Sequence, residues 1–249
     1  MIRTEEIASF DGTRLAVHRL GAGRSVVLLH GLFSSAEMNW LRFGHAERIV
    51  AAGFEAIMPD LRAHGQSAAP HDPAAYPADV LVRDLAALVE ALGLDDYDLC
   101  GFSLGARTAV RAVIDGLRPR RLVLAGMGLG GLTDWARRSA FFLRALDRFD
   151  EIKRGDPEYF AKAFMQTMKT DRVAARLLLG SVQDIALADL ARITMPCLVV
   201  CGSEDADNGS APALADRLAD ATYAAVPGTH MSSVTQRQMG EAIAGFLSR

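Results

Sequence analysis

Tyr97-Asp98-Leu99-Cys100-Gly101-Phe102-Ser103-Leu104-Gly105-Ala106-Arg107-Thr108-Ala109-Val110-Arg111-Ala112-Val113-Ile114-Asp115 is the stretch around which the rest of the chain is organised. A short apolar run enters Gly101-Phe102-Ser103-Leu104-Gly105, and a helix-like run leaves it. In a Gly-x-Ser-x-Gly turn between strand and helix, the serine sits on a sharp bend with its hydroxyl exposed. The glycines two positions to either side let the two backbones cross where a Cβ would not fit. The serine also opens a helix, whose free N–H groups favour negative charge. An oxyanion would be held there.

Upstream, residues 3–9 and 13–20 read as two strands joined at Asp11-Gly12, a hairpin turn signal. Val26-Val27-Leu28-Leu29 is a continuous apolar run, as expected of a strand buried on both faces, and it ends in His30-Gly31-Leu32-Phe33. A helix is predicted over 36–52 with Gly53 as its terminator. A strand follows from Phe54 to Met58, and then the polar loop Asp60-Leu61-Arg62-Ala63-His64-Gly65-Gln66-Ser67. Residues 78–92 place Val80, Leu81, Asp84, Leu85, Leu88, Val89 and Leu92 at helical spacing.

Downstream, Arg121 to Ala125 is another strand-like run. This strand–helix alternation implies right-handed crossovers and a mostly parallel, doubly wound α/β sheet. The pattern breaks at Gly126-Met127-Gly128-Leu129-Gly130-Gly131, a run that reads as a hinge. Residues 132–190 carry no strand-like run. The expected organisation is a core of residues 1–130 and 191–249, with residues 131–190 inserted as a helical cap. Alternation resumes with Cys197-Leu198-Val199-Val200-Cys201, a helix near 209–220, a short strand at 222–226 and a last helix at 232–247.

The 249 residues are 50% hydrophobic and 23% charged, with a net charge of −3, which excludes the basic footprint of a nucleic-acid binder. A small-molecule partner is expected; the oligomeric state is not legible. The N-terminus lacks a basic segment followed by an apolar one, and no apolar run reaches the ~18 residues of a membrane span. Cys100, Cys197 and Cys201 lie in strand-like runs and fit a reducing cytoplasm. On an extended strand Cys197 and Cys201 are about 13 Å apart, too far to share a metal ion, and no metal site is expected.

A serine hydroxyl needs a neighbouring base, usually a histidine oriented by a carboxylate. Of the six histidines, His230 is placed best, following the last strand in Pro227-Gly228-Thr229-His230 at the carboxyl edge of the sheet. Gly202-Ser203-Glu204-Asp205-Ala206-Asp207, after the preceding strand, offers three carboxylates.

With these residues in view, the sequence resembles the α/β-hydrolase superfamily over nearly all of the chain outside the cap. The resemblance implies the order nucleophile, acid, histidine as Ser103, Asp205 and His230. Gly202-Ser203-Glu204-Asp205 matches the superfamily's Gly-x-x-Asp. Asp207 is the second choice for the acid, and Asp134, after the 121–125 strand, a third. His30-Gly31-Leu32 resembles the oxyanion loop, so the Leu32 and Leu104 backbone N–H groups are the expected oxyanion donors. His30 is then structural. Asp60 to Ser67 resembles the Asp-x-Arg-Gly-His-Gly-x-Ser loop, with Ala63 in place of a glycine and His64 as a loop-fixing residue.

The implied activity is cofactor-free hydrolysis of a carboxylic ester through an acyl-enzyme. Cleavage of a lactone or of a C–C bond in a β-diketone-like substrate, or a slow-turnover ligand receptor, are the alternatives. A serine at the elbow argues against haloalkane and epoxide hydrolases, which resemble this pattern but place aspartate there. Phe33, Phe102, Met127, Leu129, Trp135, Phe141, Phe142 and Met231 are the expected lining of a mainly apolar pocket.

Overall fold

The computed structural model describes residues 1–249. Eight strands form one sheet: β1 (Arg3–Ala8), β2 (Arg14–Gly21), β3 (Arg24–Leu29), β4 (Phe54–Pro59), β5 (Tyr97–Phe102), β6 (Leu122–Ala125), β7 (Cys197–Gly202) and β8 (Ala221–Val226). Their spatial order is β1-β2-β4-β3-β5-β6-β7-β8. The β1–β2 and β2–β4 pairings are antiparallel, and all the others are parallel. Every residue of β4, β5, β6 and β7 is buried, which is why β6 and β7 read as apolar runs rather than alternating ones; Glu55 in β4 and Asp98 in β5 are buried with arginine partners, Arg19 and Arg24. β8 is an edge strand and alternates only weakly.

Two apolar layers cover the sheet. One face packs α1 (His45–Ala51) and α10 (Arg237–Leu247) around Trp40, Ile49, Met58, Phe102 and Ile243. The other carries α2 (Val80–Ala91) and α3 (Leu104–Asp115). This second core continues without interruption into the segment between β6 and β7, through Trp135, Leu146, Met165, Leu178 and Leu179. That segment holds α4 (Leu129–Thr133), α5 (Trp135–Asp147), α6 (Tyr159–Thr167) and α7 (Arg172–Ser181). No helix is long and apolar enough to cross a membrane.

Three expected helices are shorter or broken, each for a local reason. The 36–52 helix is interrupted: Glu37–Leu41 winds as a π-helical turn, and Gly44 takes φ +70° before α1 begins. The helix near 209–220 is the single turn α8 (Ala211–Ala215), begun by the Ser210 side chain accepting the Ala213 N–H. The last helix is split into α9 (His230–Ser233) and α10.

The Asp60–Ser67 loop is an electrostatic knot. Arg62 is fully buried and donates to both oxygens of Asp84 and both of Asp11, at 2.6–3.0 Å. Asp84, on the buried face of α2, is therefore a partner rather than an intruder in an apolar stripe. Arg62 holds the Asp11 carboxyl well below the usual range. Ala63 adopts φ +66°, so the alanine keeps the left-handed conformation that glycine takes more readily.

Candidate active site

Ser103 lies between β5 and α3 with φ +52° and ψ −110°, a conformation L residues rarely adopt. Its N–H donates to Ala125 O at 2.8 Å, tying the turn to β6. The flanking glycines have the role their positions imply. A Cβ on Gly101 would collide with the backbone of Gly105, and one on Gly105 would collide with Leu29 O and reach His30 O at 2.7 Å. The serine is thus held at the carboxyl end of the central strands.

His230 is the first residue of α9. Thr229 and Ser232 close a capping box around that turn, and Ser233 Oγ donates to His230 O at 3.1 Å. Glu204 N–H donates to Gly228 O at 3.0 Å, and Ser203 N–H to Val226 O at 2.7 Å, which brings the loop after β7 beside the histidine. The result is a continuous line: Ser103 Oγ lies 3.1 Å from His230 Nε2, and His230 Nδ1 lies 2.9 Å from Asp205 Oδ2. Ser103 and His230 are 6% and 7% exposed, and the Asp205 side chain is 2% exposed. The other Asp205 oxygen accepts the Asp207 N–H at 3.1 Å. The Phe102 ring stacks against the imidazole at 5.1 Å.

The two other acid candidates are elsewhere. Asp207 is exposed, with Oδ2 4.0 Å from the Arg138 guanidinium. Asp134 is half-buried and paired with Arg137.

Leu104 opens α3, where helix N–H groups have no intrahelical acceptor. Leu32 N–H makes no hydrogen bond within the chain, although its neighbours on both sides are tethered. Gly31 N–H donates to Asn39 Oδ1 at 3.0 Å, and Phe33 N–H to His64 Nε2 at 2.9 Å. Asn39 gives no distinct signal in the sequence, being one of two polar residues, with Glu37, in the Ala36–Trp40 turn.

His30 and His64 are both struts. His64 Nδ1–H donates to Arg62 O at 2.9 Å, while His30 Nε2 accepts the Leu61 N–H at 2.9 Å and its Nδ1–H donates to Gly31 O at 2.8 Å. Each uses an unprotonated Nε2 to hold a backbone amide. Burial pushes His64 down to about 3, helped by the neighbouring His30, and lowers His30 as well. An unfolded histidine titrates near 6.5, so between about pH 3 and 6.5 the folded chain binds fewer protons than the unfolded one. Stability from His64 is therefore complete above pH 6.5 and falls as pH drops through that window, by up to about 1.4 kcal/mol per pH unit, and His30 acts in the same direction. Urea unfolding at pH 5.5 and 7.5 measures the slope. His64→Gln should flatten it, and an unchanged slope would remove His64 from the account.

Of the expected pocket residues, Phe33 and Phe142 meet edge to face at 5.4 Å, and Phe141 joins Phe142 at 5.2 Å. Phe102 lies beneath His230, and Met127 is buried after β6. Leu129 is partly buried at the start of α4, and Met231, next to the histidine, is 54% exposed. Trp135 packs within the insertion, where its Nε1–H donates to Leu179 O at 3.0 Å and Arg107 lies 5.3 Å over its ring.

The glycine run expected to hinge is pinned to the loop that carries Asp205. Asn208 Nδ2 donates to Gly126 O at 2.7 Å, Gly131 N–H donates to Asn208 O at 2.8 Å, and Leu129 N–H donates to Ser210 O at 3.0 Å. A Cβ on Gly128 would collide with Gly209 O, so these glycines serve close backbone approach. Buried Arg107, on α3, donates to Gly131 O, Leu132 O and Gln183 O, bolting both stems of the insertion to the core.

The chain belongs to the alpha/beta hydrolase family, whose profile matches residues 26–245. It is 36% identical over 120 residues to an epoxide hydrolase from Caballeronia sordidicola, covering 48% of this chain and 35% of that protein. It is 34% identical over 112 residues to N-formylmaleamate deformylase from Pseudomonas putida, covering 45% and 40%. These alignments span well under half of the relatives' lengths. The fold matches an esterase from Exiguobacterium antarcticum with a TM-score of 0.80 at 22% identity, over 99% of this chain and all of that one.

Proposed function

We propose that this hydrolase cleaves carboxylic esters of small, mainly apolar substrates through an acyl-enzyme. The observation that carries the reading is the unbroken line Ser103–His230–Asp205, beginning at a serine in a strained turn. Ser103 Oγ attacks the carbonyl carbon as His230 Nε2 takes its proton. The tetrahedral oxyanion accepts hydrogen bonds from Leu32 and Leu104 N–H, and each such donor is worth about 10²–10³ in rate. Asp205 holds the proton on Nδ1 and stabilises the imidazolium. Collapse expels the alcohol, which receives the proton from His230. Water, deprotonated by the same imidazole, then releases the acid.

Serine at position 103 also bears on the epoxide hydrolase resemblance. A carboxylate that opens an epoxide leaves an ester, which water can cleave at its carbonyl. A serine would leave an ether with no carbonyl to attack, so an epoxide would trap this enzyme rather than turn over.

The β6–β7 insertion is read as a cap that lines the substrate entrance through Phe142 against Phe33. The three buried, unpaired cysteines fit the reducing environment of the cytoplasm, where we place the protein.

Hydrolysis rates on 4-nitrophenyl esters from acetate to dodecanoate test the reading. Activity should peak at a short chain length and fall by more than about tenfold at dodecanoate, since one or two methylenes beyond a pocket's limit are worth about that much. No turnover of any ester above the uncatalysed rate would reject it.

A further inference from the structure

A cleft of about 130 Å³ lies between Phe33 and Ser34, the Ala63–Ser67 turn, and the α6–α7 corner at Met168–Asp171. It adjoins the loop of the site: Phe33 and Ser34, in its lining, directly follow Leu32, and a Cβ on Gly31 of the same loop would stand 3.6 Å from Ser103 Cβ. Its volume equals about four waters, enough for a carboxylate and a methylene or two.

The polar groups around it are unevenly satisfied. Ser34 is 6% exposed, and its hydroxyl makes no hydrogen bond within the chain. The Lys169 ammonium enters no ion pair. The one acid at the cleft, Asp171, is already engaged: it holds His71 Nε2 at 2.8 Å and accepts the Val173 and Ala174 N–H groups at 3.0 Å. His64 is neutral, and Ser67 Oγ donates to Asp60 O. What remains is one exposed cation without an ion-pair partner and two hydroxyls without hydrogen bonds, Ser34 and Thr170, beside a carboxylate whose two oxygens are already engaged.

The backbone adds a second observation. α6 ends with Thr170 N–H donating to Met165 O at 2.9 Å and Lys169 N–H to Gln166 O at 3.2 Å, which places Lys169 at the left-handed position closing the helix, with φ +53°. Glycine is the usual residue there, and an L side chain is strained. The chain thus keeps a cation where its backbone favours no side chain at all, on the lip of this cleft. Strain of this kind gathers at ligand-binding positions.

We propose that the cleft is a subsite for a carboxylate on the substrate, with Lys169 as its cation and the Ser34 hydroxyl as a donor. With one cation and the Asp171 carboxylate already at the cleft, a monoanion is tolerated there and a phosphate dianion is not. The inference rests on the ester-hydrolase reading and narrows its substrate to an ester with an apolar portion and a carboxylate end.

Two probe pairs locate the carboxylate. 4-Nitrophenyl hemiglutarate against its methyl ester tests the acyl side, and 4-butyryloxybenzoate against its methyl ester tests the leaving-group side. One charged probe should exceed its neutral partner in kcat/KM by about tenfold, through KM, and the advantage should shrink at high salt. Lys169→Gly should erase the preference while raising Tm, which a loss of folding cannot imitate, and Lys169→Arg should retain it. Equal rates within both pairs, or a preference that survives in Lys169→Gly, would overturn the proposal. Calorimetric binding of monomethyl glutarate against dimethyl glutarate to the Ser103→Ala protein separates the two readings. A preference for the monoanion, lost with Lys169→Gly, together with no ester turnover by the wild-type protein would reject the esterase and keep the subsite. Absence of that preference would reject the subsite whatever the turnover.

Discussion

Ser103→Ala should lower kcat/KM for short-chain 4-nitrophenyl esters by about 10⁴- to 10⁶-fold, leaving only the catalysis that the oxyanion donors and binding provide. The size follows from the loss of the covalent route. Without the hydroxyl, His230 can at best activate a water that no strand holds in place. Tm should move by no more than a few degrees, because the change removes one oxygen, whose only side-chain partner is His230. The fall should be in kcat, with KM within a few-fold of wild type, since the serine oxygen bonds the substrate carbon only after binding. His230→Ala should cost about as much. The double variant should cost little more than either single one, because the two side chains act as a unit. Loss of less than about 100-fold in Ser103→Ala would assign the chemistry to other residues.

Gly105→Ala is expected to damage both stability and rate although it adds a single methyl group. The added Cβ meets not a flexible side chain but the carbonyls of Leu29 and His30, at the point where β3 passes into the loop carrying Leu32. Either α3 moves away from β3, or that loop shifts and takes an oxyanion donor with it. Overpacking of this kind costs about 3 kcal/mol or more where backbone must give. For a chain of this size that lowers Tm by roughly 6–12 °C. A rate loss of about 10²-fold or more should accompany it in any protein that still folds. Gly180→Ala is the internal comparison: its Cβ would meet nothing within 4 Å, and neither stability nor rate should fall. Equal behaviour of the two variants would show that the elbow tolerates a side chain.

The same contact explains why so much of the fold was legible. A Gly-x-Ser-x-Gly turn is a local pattern with a steric cause, and strands buried on both faces announce themselves as unbroken apolar runs such as Val26–Leu29 and Leu198–Val200. Asp205 and Asp207 could not be separated by spacing alone. They separate in space because Glu204 and Ser203 pair with the end of β8, turning Asp205 toward His230 and leaving Asp207 in solvent. The break at Gly44 was hidden because glycine is tolerated within a helical pattern. The glycine run after β6 suggested freedom, but its partner, Asn208, lies some 80 residues further along. Arg62 with Asp84, Arg107 with the stems of the insertion, and Lys169 at its cleft were out of reach for the same reason. Each depends on a contact between distant segments, and a charged residue quoted alone reads as surface.

The most direct test of the central claim is to treat the protein with a fluorophosphonate and map the adduct by peptide mass spectrometry. The geometry predicts one stoichiometric label, on Ser103, formed at least about 10³-fold more slowly in His230→Ala. A label on another residue, or none while ester hydrolysis proceeds at full rate, would contradict a Ser103 acyl-enzyme.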